Sequence, residues 1–260
     1  MTAFFDSFSV YLGDCMNVFT KEYTVETIHL DRFGRVKPSV LLYFAQEAAT
    51  GHCRQLALDW ETLQKKGLFW AVIRHRLQVS RLPRIGEKLR VETWPMPTTR
   101  SAFPRATAAY DEKGEPVFMC VSLWVLMDSK TRAMVLPGKS GVELEGLVRG
   151  CELTAPGSIV PKAARGQAER AVAYTDLDRN GHVNNTRYLD WVDDLLDSDF
   201  HREHSLRELS VCYLAEATEG QTLQLSWELS DGPVLQVDAH RGGTDVDCGK
   251  QRVFSVLAQF

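Results

Sequence analysis

The sequence predicts an α+β fold built from two similar halves, each with one helix and an antiparallel sheet. The predicted elements follow the same order in both halves: a strand, a helix and then four strands. A short motif that starts at Asp31 recurs at Asp178, which indicates an internal repeat. A chain of 260 residues is long enough for two medium-sized domains with proper cores.

The first half opens with a strand and a long helix. Residues 19–30 alternate in polarity and are rich in Thr, Val and Tyr, which is typical of a strand. After a turn over residues 31–38, apolar side chains recur at three- and four-residue steps. This spacing predicts a helix from Ser39 to about Leu56 or Leu58.

The rest of the first half is predicted to be sheet, with strands over residues 68–79, 88–94, 103–110 and 117–126. The sequence Asp111-Glu112-Lys113-Gly114 is typical of a hairpin between the last two. Residues 136–166 contain Pro137, Pro156 and Pro161 and no sustained periodicity, which predicts a linker. We therefore divide the chain into a domain over 1–136, a linker over 137–166 and a domain over 167–260.

The second half repeats this order. A strand over residues 168–175 precedes a polar cluster over 178–185, and a helix is predicted from there through Leu196. The strands that complete this half are predicted over residues 206–215, 222–229, 234–239 and 252–257.

The repeat is visible residue by residue. Residues 31–36 and 178–183 share Asp-Arg-x-Gly-x-Val at an offset of 147 (from 31 to 178). Residues 85–91 resemble residues 219–225 at a smaller offset of 134 (from 86 to 220). The smaller offset predicts a shorter helical region in the second half.

The two halves differ in the side chains that they carry at equivalent positions of the repeat. Phe33 and Arg35 of the first half correspond to Asn180 and His182 of the second, and Leu82 corresponds to Glu216. Buried polar side chains need hydrogen-bond partners, so such a cluster is either a solvated turn or a site. The asymmetry favours one site, built from Asn180, His182 and Glu216.

Composition excludes several classes of protein. A net charge of −4 argues against nucleic-acid binding, and the longest uncharged run, residues 116–127, is too short to span a membrane. The amino terminus lacks the cationic start of a targeting segment, so we expect a cytoplasmic protein. The cysteines lie far apart, which predicts reduced thiols and no metal site: Cys15, Cys53, Cys120, Cys151, Cys212 and Cys248.

A helix wrapped by an antiparallel sheet, present twice, is the arrangement of a tandem (double) hotdog. The polar cluster, extended to Tyr188, resembles the signature of acyl-acyl-carrier-protein (acyl-ACP) thioesterases, which are double-hotdog enzymes that end fatty-acid synthesis. The family's later glutamate is matched by Glu216, 34 residues after His182 (from 182 to 216). The resemblance covers nearly the whole chain. It implies release of free fatty acid from acyl-ACP, with acyl carrier protein as partner and no cofactor.

The resemblance also implies roles for individual residues. We expect Glu216, buried beside the fatty chain, to act as general base towards water, while His182 and Asn180 position the water and the thioester. Asp178 either orients these neighbours or, like Asp31, only shapes the turn. Many plant members carry a cysteine after the glutamate; here Ala217 occupies that position, and Cys212 is a poor substitute. Activated water is therefore favoured over a cysteine nucleophile.

Other residues near the cluster have structural alternatives. The backbone N–H groups of Val183 and Asn184, at a helix start, are predicted to complete an oxyanion site, and Asn184 is expected to touch substrate. Asn184, Asn185 and Thr186 are all typical helix-capping residues, and capping is the favoured role for Asn185 and Thr186. Tyr188 and Trp191 are predicted to be core residues.

The first half is expected to hold the acyl chain. The candidate substrate-binding residues on its helix are Leu41, Phe44, Ala45 and Ala48, although any core helix would carry similar residues. His52 lies on the same apolar face and could also line a pocket. The carrier protein is acidic, so a basic docking surface is expected, with a solvated strand face as the alternative. The densest basic stretch contains Arg74, Arg76, Arg81, Arg84, Lys88 and Arg90.

Two alternatives to an acyl-ACP hydrolase stay open. A hotdog acyl-CoA thioesterase would need the same site, and a non-catalytic acyl-binding module would use the same cavity. The set Asn180, His182 and Glu216 argues against a pure binder, which has no need for ionisable groups there. A hydratase of the same fold is less favoured by the motif. The sequence leaves open a homodimer, the acyl chain length and the degree of saturation.

Overall fold

The computed structural model describes residues 17–150, 153–242 and 251–260. The helices are α1 (Pro38–Gln55), α2 (Trp60–Lys65), α3 (Pro137–Ser140), α4 (Arg187–Asp193) and α5 (Ser198–Glu203). The strands of the first half are β1 (Phe19–Thr24), β2 (Leu68–Val79), β3 (Lys88–Pro95), β4 (Phe103–Tyr110), β5 (Pro116–Asp128) and β6 (Met134–Val135). Those of the second half are β7 (Gly166–Ala171), β8 (Glu208–Tyr213), β9 (Thr222–Ser230), β10 (Val234–Arg241) and β11 (Gln251–Gln259).

The strands form one 11-stranded sheet with a two-fold pattern. Its order is β1-β3-β4-β5-β2-β8-β11-β10-β9-β7, with β6 paired to β5, so each half repeats the other outward from the centre. The halves meet where β2 pairs with β8 in antiparallel register, from Arg74 opposite Cys212 to Gln78 opposite Glu208. The α+β prediction and the repeated strand order are confirmed.

The long helix α1 supplies much of the shared core. It starts at Pro38, where the missing N–H costs no helical hydrogen bond. Its side chains Leu41, Phe44 and Ala48 are fully buried in a cluster that extends across both halves to Trp191 and Phe254. One continuous core therefore holds the two halves together.

The repeated motif is a backbone turn. In each copy the aspartate N–H donates to the carbonyl four residues on, at 2.7 Å in both the Asp31 and Asp178 copies. Gly34 and Gly181 have φ angles of 74° and 78°, a conformation that glycine adopts without steric cost. The second match is structural as well, because Gly86 N–H donates to the Val25 carbonyl and Gly220 N–H to the Val172 carbonyl.

The opening strand of each half ends earlier than predicted. The strand predicted over residues 19–30 ends at Thr24, and Thr27–His29 form a 3-10 turn instead. The strand predicted over residues 168–175 runs from Gly166 to Ala171, and the equivalent 3-10 turn is Tyr174–Asp176. The Glu26 N–H donates to His29 Nδ1 at 3.0 Å, a local bond that competes with strand pairing.

The second-half helix is also shorter than predicted. Instead of reaching Leu196 it ends at Asp193, and α5 begins anew at Ser198. The carboxylate of Asp197 accepts the Phe200 N–H at 2.8 Å and so caps a new helix. Carboxylates near the end of α4 also oppose its negative carboxyl-terminal dipole. The smaller offset between the second pair of repeats agrees with this shortening.

The segment that follows α3 packs on the outer face of the sheet. Arg74 Nη1 donates to the Pro156 carbonyl at 3.2 Å, and Gln236 Nε2 donates to the Val160 carbonyl at 2.8 Å. Leu147 packs against the buried Trp94 on the same face. The segment therefore covers sheet surface that the helices leave open.

The described cysteines, Cys53, Cys120 and Cys212, carry thiols, as predicted. Cys15, Cys151 and Cys248, like the amino-terminal stretch 1–16, lie outside the described residues. In the part of the chain that the structure describes, no helix is both long and apolar enough to cross a membrane.

Candidate active site

The turn at Asp178 positions the side chains of Asn180 and His182. The Oδ1 atom of Asp178 accepts the backbone N–H of Asn180 at 2.8 Å and that of His182 at 3.3 Å, and Asp31 makes the equivalent bonds in its own turn. The Oδ2 atom of Asp178 also accepts Asn180 Nδ2 at 3.3 Å. The equivalent residue Phe33 cannot make that bond. Asp178 thus shapes the turn, as the repeat predicts, and additionally orients the Asn180 amide.

A short bridge brings Glu216 to this turn. The Val183 N–H donates to the Ala217 carbonyl at 2.9 Å, and His182 is bridged to Thr218. As a result His182 Nε2 lies 3.3 Å from Glu216 Oε2. Two predicted site residues far apart in the sequence therefore meet within hydrogen-bonding reach.

Arg132 is a site residue that the sequence interpretation missed. It lies in the hairpin between β5 and β6 in the first half, and its guanidinium forms a salt bridge with Glu216. The Nη2 atom of Arg132, which contacts Glu216, is also 3.2 Å from His182 Nε2, and the guanidinium stacks over the Phe69 ring at 4.5 Å from its centre. Its φ of 58° is unusual for a residue with a side chain. Neither the repeat nor any local pattern signals this contact across the two halves.

The first half also fixes Asn180. Trp60 Nε1 donates to Asn180 Oδ1 at 3.1 Å, and Arg179 stacks on the Trp60 ring at 3.9 Å. With its carbonyl oxygen bonded to Trp60 and one N–H to Asp178, the amide keeps a second N–H for a ligand. The amide is therefore held in one orientation by both halves.

The site is more open than predicted. The side chain of Glu216 is 43% exposed, that of Arg132 38% and that of His182 20%. The expectation that Glu216 is buried is wrong. The carboxylate lies at the bridge between the Asp178 turn and the end of β8, where water reaches it directly.

A cavity of about 920 Å³ opens beside these residues. Asp178, Asn180, His182 and Glu216 line one part of it, with Asn184 and Arg132. Aromatic side chains of the first half line another part: Trp60, Phe69, Trp70, Phe103 and Trp124. The cavity thus joins a polar site to apolar walls, which suits a ligand with a reactive head and a hydrocarbon chain.

The predicted acyl-chain residues are not in the cavity wall. Leu41, Phe44, Ala45 and Ala48 are buried in the common core. The residues of α1 that do line the cavity are Gln46, Glu47, Ala49, Thr50 and Cys53. Periodicity identified the most apolar face of the helix, and that face packs on the sheet. His52 also lies outside the wall, with its Nδ1 3.0 Å from Arg105 Nη1.

The predicted oxyanion donors are already engaged. The Val183 N–H donates to Ala217 and the Asn184 N–H to the Asp176 carbonyl at 2.8 Å. Of the three predicted capping residues, Asn184 is the one whose side chain accepts a backbone N–H: its Oδ1 accepts that of Thr186 at 3.0 Å. Asn184, rather than Asn185 or Thr186, stabilises the start of α4 with its side chain.

Asn185 faces inward instead. Its Nδ2 lies 3.4 Å from His75 Nε2, and its carbonyl accepts the Tyr213 hydroxyl at 3.0 Å. Tyr188 and Trp191 are buried in the core, as predicted. Tyr188 also lines the cavity, and burial raises the pKa of its phenol, so the hydroxyl stays protonated.

Two of the three equivalent positions of the first half, Arg35 and Leu82, line a second cavity of about 580 Å³. Arg35 stands in place of His182, and its Nη1 donates to the His204 carbonyl at 2.9 Å. Leu82 stands in place of Glu216. The first half therefore has the same backbone turn as the site but lacks its histidine and its carboxylate.

The predicted basic stretch is largely used internally. Arg76 pairs with Glu208 at 2.7 Å, and Arg81 pairs with Asp111 at 2.8 Å. Arg74 bonds to the segment at Pro156, as described above. These cations are less available to an acidic partner than the sequence suggests. Among the described residues, no group of three or more His, Cys, Asp or Glu side chains is placed to hold a metal ion.

Two family models match the chain. The acyl-ACP thioesterase N-terminal domain matches residues 16–136 and the C-terminal domain matches residues 161–246. A palmitoyl-acyl carrier protein thioesterase of Gossypium hirsutum is 26% identical over 229 residues, which are 82% of this chain and 55% of the relative. A dodecanoyl-[acyl-carrier-protein] hydrolase of Cinnamomum camphora is 24% identical, over 83% of this chain and 60% of its own length. The chain thus spans little more than half the length of these relatives.

Solved structures share the fold. An acyl-ACP thioesterase from Bacteroides thetaiotaomicron superposes with a TM-score of 0.83 at 24% identity, over 93% of this chain and 97% of that one. A 12:0-ACP thioesterase from Umbellularia californica gives a TM-score of 0.77 at 21% identity, over 93% and 96%. The predicted double-hotdog architecture is confirmed by these superpositions.

Proposed function

Because this chain belongs to the acyl-ACP thioesterase family, we propose that it hydrolyses the thioester of acyl-ACP and releases a free fatty acid. The observation that carries the proposal is the 3.3 Å approach of His182 Nε2 to Glu216 Oε2 at the wall of a large, partly apolar cavity. A thioester at that point would have its reacting carbon beside a base and its acyl chain among aromatic side chains.

Glu216 is the proposed general base. Its carboxylate takes a proton from water while the water oxygen bonds to the thioester carbonyl carbon. When the C–S bond breaks, the proton passes to the departing carrier thiolate, so the products are a fatty acid and the free thiol. General base catalysis of this kind contributes roughly 10²–10⁴-fold in rate. With Ala217 next in the chain, no cysteine nucleophile is needed.

His182 and Arg132 act on the carboxylate. The histidine holds one carboxylate oxygen of Glu216, and the arginine pairs with the other. Together they restrict its rotation, and the arginine adds positive charge where the oxyanion develops. Arg132 is thus proposed as a positioning residue and as an electrostatic stabiliser.

Asn180 is the proposed donor to the thioester carbonyl oxygen. Its remaining Nδ2 hydrogen is suited to this role because the backbone N–H groups of Val183 and Asn184 are engaged elsewhere. Asp178 and Trp60 act indirectly, because their hydrogen bonds to the Asn180 side chain fix the plane of its amide. Removing one oxyanion donor typically lowers kcat about 10²–10³-fold.

The test is the variant Glu216→Gln, with Glu219→Gln as its matched control. Glu219 is an exposed carboxylate three residues on, outside the cavity wall. We expect Glu216→Gln to lose at least about 100-fold in kcat and Glu219→Gln to keep wild-type turnover. Because exposed ion pairs contribute roughly 0–1 kcal/mol, both should melt close to the wild type.

Substrate class is tested in the same assay. Acyl-ACP and acyl-CoA of equal chain length are compared, and a higher kcat/KM on the carrier-protein thioester is expected. Wild-type rates in Glu216→Gln would contradict the base assignment. Binding of acyl-ACP with no turnover in the wild-type protein would identify an acyl-binding module instead.

A further inference from the structure

Arg105 places a buried cation on the wall of the cavity. It lies in β4, paired with Pro95 of β3 on one side and Ser122 of β5 on the other. The residue is only 5% exposed, yet it lines the cavity together with Phe103 and Trp124. Arg105 thus brings a buried charged residue to a wall that also carries aromatic side chains.

The contacts of Arg105 are with neutral groups. Its Nη1 is 3.0 Å from His52 Nδ1 and 3.3 Å from Thr93 Oγ1. An arginine can only donate, so His52 Nδ1 is the acceptor and that imidazole is neutral. Among the described residues, Arg105 takes part in none of the salt bridges, although buried arginines are normally paired. Burial accordingly lowers the pKa of Arg105.

The register of the sheet separates Arg105 from the reacting centre. Arg105 is level with His75 of β2 across Ser122, and Phe69, which touches Arg132, lies several residues earlier on β2. At about 3.3 Å per residue and about 4.8 Å per strand, that separation is on the order of 20 Å. One acyl chain is of similar size, roughly 15 Å, or half of a bilayer's hydrocarbon core.

A hydrocarbon chain that reaches the guanidinium would strip water from its donors. Each further buried methylene normally tightens binding about fourfold. Leaving a buried donor without a partner weakens binding by about 5- to 160-fold, and more for a charged group. Because the guanidinium is charged, its penalty exceeds the gain of about 4- to 16-fold from the one or two methylenes that would contact it.

We propose that Arg105 forms the polar end of the acyl-binding cavity and limits the length of the acyl chain that this protein accepts. The proposal deepens the proposed function, on which it rests for the identity of the ligand. Thr93 and His52 hold the guanidinium at this position. Arg105 is thus a specificity-determining residue remote from the reacting atoms.

The test measures binding rather than hydrolysis, so it is independent of Glu216. A fluorescent fatty acid is displaced from the protein by straight-chain saturated fatty acids of increasing length. In wild-type protein, affinity should rise with length to an optimum and then fall. In Arg105→Met the optimum should move to longer chains by roughly two to four carbons, with longer chains bound at least about tenfold more tightly.

Arg54→Met is the matched control, because Arg54 is an exposed arginine of α1 that does not line the cavity. It should keep the wild-type optimum. If Arg105→Met lowers the melting temperature too far, Arg105→Lys and Arg105→Gln make the same comparison between a charged and a neutral side chain.

An unchanged optimum in folded neutral variants would overturn the proposal and leave Arg105 as a support for α1. Tighter binding of hydroxylated chains than of plain chains of equal length, lost in Arg105→Met, would also overturn it. That result would indicate a subsite for an oxygen-bearing chain. A failure of hydrolysis alone concerns the proposed function and leaves these binding results interpretable.

Discussion

Replacing Arg132 with glycine should lower activity and, at the same time, leave the stability of the protein nearly unchanged. The guanidinium lies against Glu216 and 3.2 Å from His182 Nε2, so its loss removes a positive charge from the proposed site. The backbone at Arg132 has φ 58°, a left-handed conformation that costs a residue with a side chain about 1–2 kcal/mol. Glycine adopts this conformation freely.

The two effects can be sized separately. A unit charge about 4 Å away contributes at most about 4 kcal/mol at an effective dielectric constant near 20, and the open site reduces this further. A loss of about 10- to 100-fold in kcat follows. For stability, the relieved strain is offset by the greater chain entropy of glycine, about 0.5–1 kcal/mol, and by the exposed ion pair, about 0–1 kcal/mol. The three contributions largely cancel, and the net change lies between about −1 and about +1.5 kcal/mol.

Arg132→Met is the matched variant, because it loses the same charge but keeps the left-handed strain. The assay pairs kcat on acyl-ACP with urea unfolding of each protein. Both variants should lose activity equally, and the glycine variant should be more stable than the methionine variant by about 1 kcal/mol. Wild-type turnover in both variants would refute the role of the guanidinium, and equal stability would refute the strain.

Two further predictions concern the fold. Burial lowers the pKa of His75 to about 3, so as pH falls below about 6.5 the unfolded chain binds a proton that the folded protein does not. The free energy of unfolding should therefore fall by up to about 1.4 kcal/mol per pH unit. His75→Gln should abolish this slope in urea unfolding, and parallel curves of stability against pH for the variant and the wild type would contradict the prediction. A Cβ at Gly146 would lie 2.4 Å from the Pro97 backbone, so Gly146→Ala should destabilise by about 1–3 kcal/mol, while Gly157→Ala, with open space around it, should melt like the wild type. Equal melting temperatures of the two glycine variants would show that the segment following α3 packs loosely at Gly146.

Much of the fold followed from short-range patterns. The strands β2 and β4 begin and end where alternation and turn residues predict. The 3-10 turn at Thr27–His29 was missed because one local hydrogen bond to His29 outweighs a strand-like composition. The end of α4 was missed because a cap at Asp197 stops a helical pattern that hydrophobic spacing alone would continue.

The candidate site shows the same division. Asn180, His182 and Glu216 were proposed as site residues because they differ from their counterparts in the repeat and match the family motif, and the bridge between Val183 and Ala217 brings them close together. The walls of the cavity were not predictable in this way. Periodicity shows that a helix face is apolar, and it does not show whether that face meets a sheet or an empty space.

The sequence by itself determined the two-fold order of elements and the turn that displays Asn180 and His182. Both depend on hydrogen bonds and side-chain periodicities within a few residues, so neighbouring positions in the sequence are enough to determine them. Only the tertiary structure decided that Arg132 reaches Glu216 from the other half and that Arg105 lies buried in the cavity wall. Such contacts join residues distant in sequence, and they exist only once strand register and helix packing have set the distances between them.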